Sequence, residues 1–385
     1  MNKLLNAVEE NLSWFRNSGV MVPENGLWGV AERAAVKGNN AIAKILYSFP
    51  AWSEKDDSFI IEQRRADCNF QTAWLFLKAD KLFPGKGYGE IGRNILDFLY
   101  FRSGLLERAE DARIPANWNW SHIKRESVVW YDDESWCIFI QLKIADEFPE
   151  LDERYQMRSW ALKLAESLYA AVTSENNDNG WSGRLAEPHW GALATMALAE
   201  SSRYQNRDKY YEFCKKYFSE LESPDVSEDA YALIGAMNCV LKFDCEFFRQ
   251  TARKYADKII AKFDDEYSTV PSEHATEAPV GKEFADLIYT INWVLLGMRE
   301  FSLAENGKYR PQLDKIIDLL VSIQDDSESL SFKGCWRGMY DVKNHTWNCG
   351  DMYEGGSGSI YTGWTNAPIS LGLLFECIGK SFLGA

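Results

Sequence analysis

The sequence lacks the features that would take it to a membrane, a nucleic acid or a metal. No window of the 385 residues holds the run of ~18 uncharged apolar residues that a transmembrane helix needs, and mean hydropathy is −0.34. Basic residues are few: 42 Lys and Arg stand against 57 Asp and Glu, a formal charge of −15. With no local basic patch, so acidic a chain repels phosphate backbones, which excludes nucleic acid as the main ligand. The eight cysteines (Cys68, Cys137, Cys214, Cys239, Cys245, Cys335, Cys349 and Cys377) are scattered, with no CxxC, and read as reduced thiols, most of them buried in helices. Only four histidines occur, His122, His189, His274 and His345, at no metal-ligand spacing, so no metal and no cofactor is expected. The opening decapeptide has no apolar stretch and carries Glu9 and Glu10. It reads as an amphipathic helix rather than a secretory leader, and together with the reduced cysteines it predicts a cytoplasmic protein.

Helix signals and tryptophan are abundant. Helical periodicity predicts helices near 2–17, 28–48, 67–83, 87–101, 132–148, 152–173, 187–201, 205–221, 228–241, 245–262, 283–299, 306–324 and 366–381. Asp67, Asp132, Ser227 and Thr365 stand where N-cap or first-turn residues belong. Strand signals are sparse, so the chain reads as all-α. The helices at 67–83, 132–148, 187–201, 228–241, 283–299 and 366–381 are rich in Ala, Gly, Leu and Trp and poor in charge, as helices surrounded by protein are. They alternate with amphipathic, charged helices. Six such hairpins predict an (α/α)6 barrel formed by residues 1–385 as one domain, an inner ring wrapped by an outer one; an open solenoid would need polar terminal caps, and the last helix is apolar.

In that barrel every inner helix starts at the same end, so the long loops before them form one mouth facing helix N-termini. Ten of the 15 tryptophans fall in those loops: Trp52, Trp118, Trp120, Trp130, Trp136, Trp181, Trp190, Trp336, Trp347 and Trp364. Indole rings form flat amphipathic platforms suited to the apolar faces of sugars.

The sharpest motif is Val129-Trp130-Tyr131-Asp132-Asp133-Glu134-Ser135-Trp136, which opens the second inner helix. Three acidic residues in a first turn can simply cap the helix and complement its dipole. Between two tryptophans, the same residues can instead place an Asp in the mouth as general acid or base, its pKa raised by its surroundings. Trp130-Tyr131-Asp132-Asp133 resembles the Trp-x-Asp-[Asp/Thr] segment of the unsaturated glucuronyl and rhamnogalacturonyl hydrolases, and the Asp–Asp pair of endo-α-mannanases, all of the six-hairpin glycosidase superfamily. The resemblance implies Asp132 as general acid/base.

Other mouth segments fit a sugar site. Glu62-Gln-Arg64-Arg65-Ala-Asp67 offers an arginine clamp and a second carboxylate, or else a surface salt-bridge cluster. Trp181-Ser-Gly-Arg184-Leu-Ala-Glu187-Pro-His189-Trp190 offers a hydrogen-bonding imidazole. Ser272-Glu-His274-Ala-Thr-Glu277 is a weaker source of a carboxylate. The run 347–366 is glycine-rich but matches no phosphate-binding pattern, and it contributes Tyr353, Glu354, Tyr361, Trp364 and Asn366, as sugar contacts or as a loop closing the barrel.

The expectation is therefore a glycoside hydrolase acting on an oligosaccharide, with Asp132 as acid/base and Asp133 or Asp67 as its partner. Substrate contacts are expected from Arg64, Arg65, Trp130, Trp136, Trp181, Arg184, Glu187, His189, Trp190, Glu354, Tyr361, Trp364 and Asn366. Arg64, Arg65, Arg184 and His189 hint at a uronic-acid-containing sugar, since Arg pairs bidentately with carboxylate. A lyase or epimerase on the same barrel, working through His189, Tyr131 or Tyr361, is the nearest alternative. A terpene-cyclase-like toroid and a non-catalytic carbohydrate-binding protein stand further off. Bond configuration and oligomeric state are left open.

Overall fold

A computed structural model describes residues 3–39, 42–49, 51–123, 128–174, 180–274, 279–347, 349–350 and 354–384. Fourteen α-helices are present among these residues: α1 (Lys3–Asn17), α2 (Ile42–Ser48), α3 (Ala66–Asp80), α4 (Tyr88–Asp97), α5 (Tyr131–Glu147), α6 (Pro149–Tyr155), α7 (Met157–Val172), α8 (Pro188–Ser201), α9 (Arg207–Glu220), α10 (Val226–Phe243), α11 (Glu246–Lys262), α12 (Ile291–Ala304), α13 (Arg310–Ile323) and α14 (Ala367–Ile378). Eight short strands accompany them: β1 (Arg33–Val36), β2 (Trp52–Glu54), β3 (Ser58–Ile61), β4 (Val129–Trp130), β5 (Trp181–Ser182), β6 (Phe284–Asp286), β7 (Met339–Asp341) and β8 (Ser359–Tyr361). No described helix is long and apolar enough to cross a membrane.

The apolar helices form the inner ring. α3 packs on α5, α5 on α8, α8 on α10, α10 on α12, α12 on α14, and α14 returns to α3, so the ring is closed. The amphipathic helices clad it: α4 lies on α3, α7 on α5, α9 on α8, α11 on α10 and α13 on α12. The sixth outer place, against α14, is taken by α1 from the other end of the chain. Composition explains the division, because α10 and α8 are buried along nearly their whole length, whereas α9 buries only Tyr210, Cys214 and Phe218. Helices this close need small residues at the crossing. A Cβ on Gly235 of α10 would lie 2.5 Å from the Ala192 carbonyl oxygen of α8.

Three predicted helices are corrected. The segment 28–48 reads as helical because of its Ala, Glu and Arg, yet it holds strand β1 and the short α2. β1 pairs antiparallel with both β3 and β8, in the sheet β2-β3-β1-β8 that roofs one side of the mouth. Sheet partners remote in sequence override local propensity there. The expected helix at 283–299 begins instead as β6, and α12 starts at Ile291. The expected 152–173 helix is split into α6 and α7 by Gln156, whose φ of 56° is left-handed. At the start of α10, Ser227 stands in the first turn as expected, and Asp225 is the cap, its side chain accepting from the Glu228 N–H.

The end of the barrel remote from the inner N-termini is sealed by the last residues of the chain. Phe382 packs against Trp74, Trp136, Phe139 and Phe375, and Lys143 and Lys242 both donate to the Leu383 carbonyl.

Candidate active site

All six inner N-termini open onto one cavity of about 660 Å³. Its wall takes Arg65 from the start of α3, Asp132 and Asp133 from α5, Glu187, His189 and Trp190 from α8, Asp225 and Glu228 from α10, Tyr289 from before α12 and Trp364 from before α14. The sheet adds Glu32, Arg33 and Tyr361, and α2 adds Lys44 and Ile45.

The three acidic residues of the α5 first turn point three ways. Asp132 forms part of the cavity wall and is buried; its Oδ1 has no protein hydrogen-bond partner. Burial pushes its pKa up to about 6, partly opposed by the positive charges of His189 and Arg65 and by a hydrogen bond from the Asp133 N–H. Asp133, beside it on the wall, is ion-paired with Arg65, so burial raises its pKa while the guanidinium pulls it back. Glu134 faces away from the cavity and accepts the Trp118 N–H at 2.9 Å, tying the 118–120 loop to the helix. Burial holds its pKa well above the ordinary carboxylate value.

Arg65 anchors the floor. Its Nε and Nη2 donate to Asp67 at 3.2 Å each, Nη1 reaches Glu32 at 3.4 Å, and Nη2 holds Asp133. Asp67 lies behind this clamp, almost fully buried, and accepts Trp364 Nε1–H at 2.9 Å. It is off the cavity wall. Arg33 donates to Tyr361 and to the Glu354 carbonyl, and Tyr361 donates to Glu354 Oε2 at 2.6 Å.

His189 is gripped twice by Glu228: its N–H donates to Oε2 at 2.7 Å, and its Nδ1 lies 2.5 Å from Oε1. Burial opposes protonation of this imidazole, but the hydrogen bond and charge of Glu228 leave its pKa raised. His274 also lines the wall, stacked on Tyr289 at 4.1 Å with ring planes 4° apart. Burial, reinforced by His189, pushes His274 down to about 4.

Aromatic rings complete the surface. Trp120, Trp130, Trp190 and Trp364 line the cavity, Trp130 and Trp190 nearly parallel at 6.4 Å and 17°. Trp130 Nε1 is buried without a protein partner.

Several expected contacts lie elsewhere. Trp136 stacks on Trp293 at 5.4 Å in the core below the cavity, since it shares the helix face of Asp132 and Asp133 but stands one turn deeper into the ring. Trp181 stacks on Tyr131 behind the wall, fixed there by the β4–β5 pairing. Arg64 is buried off the cavity wall, held by Glu62 and the Trp28 carbonyl, and Arg184 projects into solvent, paired with Glu187. Asn366 is fully buried and spends its amide on Asn11, Trp336 and Tyr361. Of the other mouth tryptophans, Trp118 and Trp336 are core, and Trp52 is exposed on β2. Tyr353 and Glu277 lie outside the described residues.

Glu32, Arg33, Asp225, Glu228 and Tyr289 were not singled out from the sequence. The first two lie in the segment misread as helix. Asp225 and Glu228 had a usable signal, the Asp-x-x-Glu spacing of a capping box at an inner helix start.

No family model and no curated protein sequence matches this chain. Solved structures do. Cellobiose 2-epimerase from Bacillus thermoamylovorans B4167 matches with a TM-score of 0.64 at 10% identity, over 98% of this chain and 100% of the epimerase. A D-mannose isomerase matches with a TM-score of 0.64 at 11% identity, over 98% of both chains. A glycoside hydrolase family 76 mannosidase from Bacteroides thetaiotaomicron VPI-5482 gives 0.60 at 8% identity, over 98% of this chain and all of the mannosidase. Identities this low speak for the fold alone, and the fold is a six-hairpin (α/α)6 toroid.

Proposed function

We propose that the protein is a glycoside hydrolase that cleaves an oligosaccharide, with Asp132 as the general acid. The observation that carries this is Asp132 itself: a buried carboxyl on a tryptophan-lined cavity, with an oxygen no protein group uses and a pKa lifted to about 6. A carboxyl tuned upward can donate to a leaving-group oxygen near neutral pH. Asp133 is the second carboxylate. Burial holds its pKa well above the ordinary carboxylate value, and Arg65 pulls it back and fixes its position; in its charged form it would assist water or stabilise positive charge at the anomeric carbon. Trp130 Nε1–H and the Tyr361–Glu354–Arg33 cluster supply donors and acceptors for sugar hydroxyls.

The uronic-acid preference loses two of its four supports, because Arg64 and Arg184 lie off the cavity wall. The wall carries seven acidic side chains against Arg33, Lys44, Arg65 and His189, and both arginines and the imidazole are already engaged by acidic side chains. Neutral sugars are therefore the better-supported substrate class.

The test is incubation with neutral, amino and uronic oligosaccharides and their aryl glycosides, with products followed by mass spectrometry. Bond cleavage is expected, falling about 10²–10⁴-fold in Asp132→Asn. Turnover within tenfold of wild type in a folded Asp132→Asn protein overturns the assignment. A product isomeric with the substrate, formed without cleavage and lost in His189→Ala, assigns the site to an epimerase instead.

A further inference from the structure

We infer that His189, Glu228 and His274 form a binding site for one divalent transition-metal ion, open to the cavity. The three residues come from separate elements. His189 is in the first turn of α8, Glu228 in the first turn of α10, and His274 follows the bridge between Ser272 and Gly281. They are far apart in the chain, which is why no ligand spacing is visible in the sequence.

All three are buried, all line the cavity, and one donor atom from each lies within 4.8 Å of the other two. A hydrogen bond accounts for the His189–Glu228 contact. His274 brings a second imidazole nitrogen, Nε2, to 3.8 Å from the same Glu228 oxygen, a separation beyond hydrogen-bond reach. Zinc bonded at ~2.0–2.2 Å to nitrogen and oxygen donors sets neighbouring donors roughly 3.2–3.5 Å apart. The His274–Glu228 separation of 3.8 Å is close to that span, and the 2.5 Å His189–Glu228 contact opens by a small carboxylate rotation.

The surroundings hold the ligands as metal ligands are held. Glu228 is oriented by its second oxygen, which accepts the His189 N–H, and by its own N–H, which the Asp225 cap receives. His274 is held flat against Tyr289. Two imidazoles and one carboxylate suit zinc and related borderline ions and leave the remaining coordination positions to the cavity. Vicinal sugar hydroxyls fit there, so the ion would orient substrate. The inference does not depend on the hydrolase proposal. It does oppose the epimerase alternative, because imidazoles committed to a metal are lost as proton-transfer bases.

The full-length protein, stripped with EDTA and returned to metal-free buffer, is titrated with Zn²⁺ by calorimetry and with Co²⁺ by visible absorption. One equivalent of each is expected, the cobalt giving the d–d bands of a low-symmetry site. His274→Ala, a loop substitution, is expected to weaken binding at least by the 10–100-fold that loss of even an outer-shell partner costs, with the apo thermal midpoint close to wild type. His122→Ala, whose imidazole is occupied by the Arg64 N–H outside the site, should bind as wild type does. No binding, binding unchanged in His274→Ala, or an equal loss in His122→Ala overturns the inference.

Discussion

Asp132 costs the fold stability. Its pKa is about 6 in the folded protein against an ordinary value near 3.8, so between those pH values the folded chain binds more protons than the unfolded one. Stability contributed by the protonated form is present below pH 4 and lost as pH rises through 6. Asp132→Asn removes the titrating group, so this variant should be more stable than wild type at pH 7, by on the order of 1–3 kcal/mol, and no more stable at pH 4. Denaturant titrations at the two pH values check this; a variant that is less stable at pH 7 contradicts the buried, unpaired environment. The same ionisation sets the activity profile. If Asp132 is the acid, kcat/KM falls as pH rises, with a midpoint near 6, and a profile rising through pH 6 would make Asp132 a base. The acidic triplet was legible in the sequence as a group with chemistry in it. Its division into a cavity acid, an arginine-bound partner and a loop anchor was not, because successive residues of a helical turn point about 100° apart and only the neighbours decide which direction is cavity.

At the scale of elements, the inner and outer helices could be told apart from composition, since burial on all sides leaves no room for charge and a single wet face demands it. Their crossings are tight enough to test. In Gly235→Ala the new methyl meets the Ala192 carbonyl at 2.5 Å and Thr195 Oγ1 at 2.8 Å. Alanine is the better helix former by about 1 kcal/mol, yet the clash is with backbone that cannot swing aside. A net loss of about 1–3 kcal/mol is expected, read from urea unfolding, with neutrality or a gain contradicting the α8–α10 contact. The segment 28–48 shows the limit of such inference: helix-forming residues became a strand because β3 and β8 offered hydrogen bonds that no local preference can anticipate. With that strand went Glu32 and Arg33, two wall residues the sequence did not reveal.

For the whole molecule, the sealed end of the barrel is an ionic knot around Glu200, fully buried between Lys143 at 3.1 Å, Lys242 at 2.9 Å and Arg203 at 2.9 Å. Glu200→Gln leaves two buried ammonium groups without their counter-charge and should cost about 3–5 kcal/mol. Lys143→Met should cost less, because Glu200 keeps Lys242 and Arg203. Burial lowers the Lys143 pKa to about 7, so between pH 7 and the unfolded value near 10.5 the folded chain binds fewer protons than the unfolded one. Stability should rise with pH across that window in wild type and rise less steeply in Lys143→Met. Thermal melts of the three proteins at pH 7 and 9 decide it; equal costs for both substitutions would show that Glu200 is not the centre of the knot.

The order of apolar and charged helices, and the acidic and indole residues at the inner helix starts, are properties of the sequence by itself, because solvent exposure is repeated every turn and leaves a local periodic record. Which side chains meet was decided by the tertiary structure alone. Closing the ring brought α1 to α14, aimed Asp132 inward and Arg184 outward, and set His189, Glu228 and His274 around one point; contacts between residues remote in sequence leave no periodic trace along it.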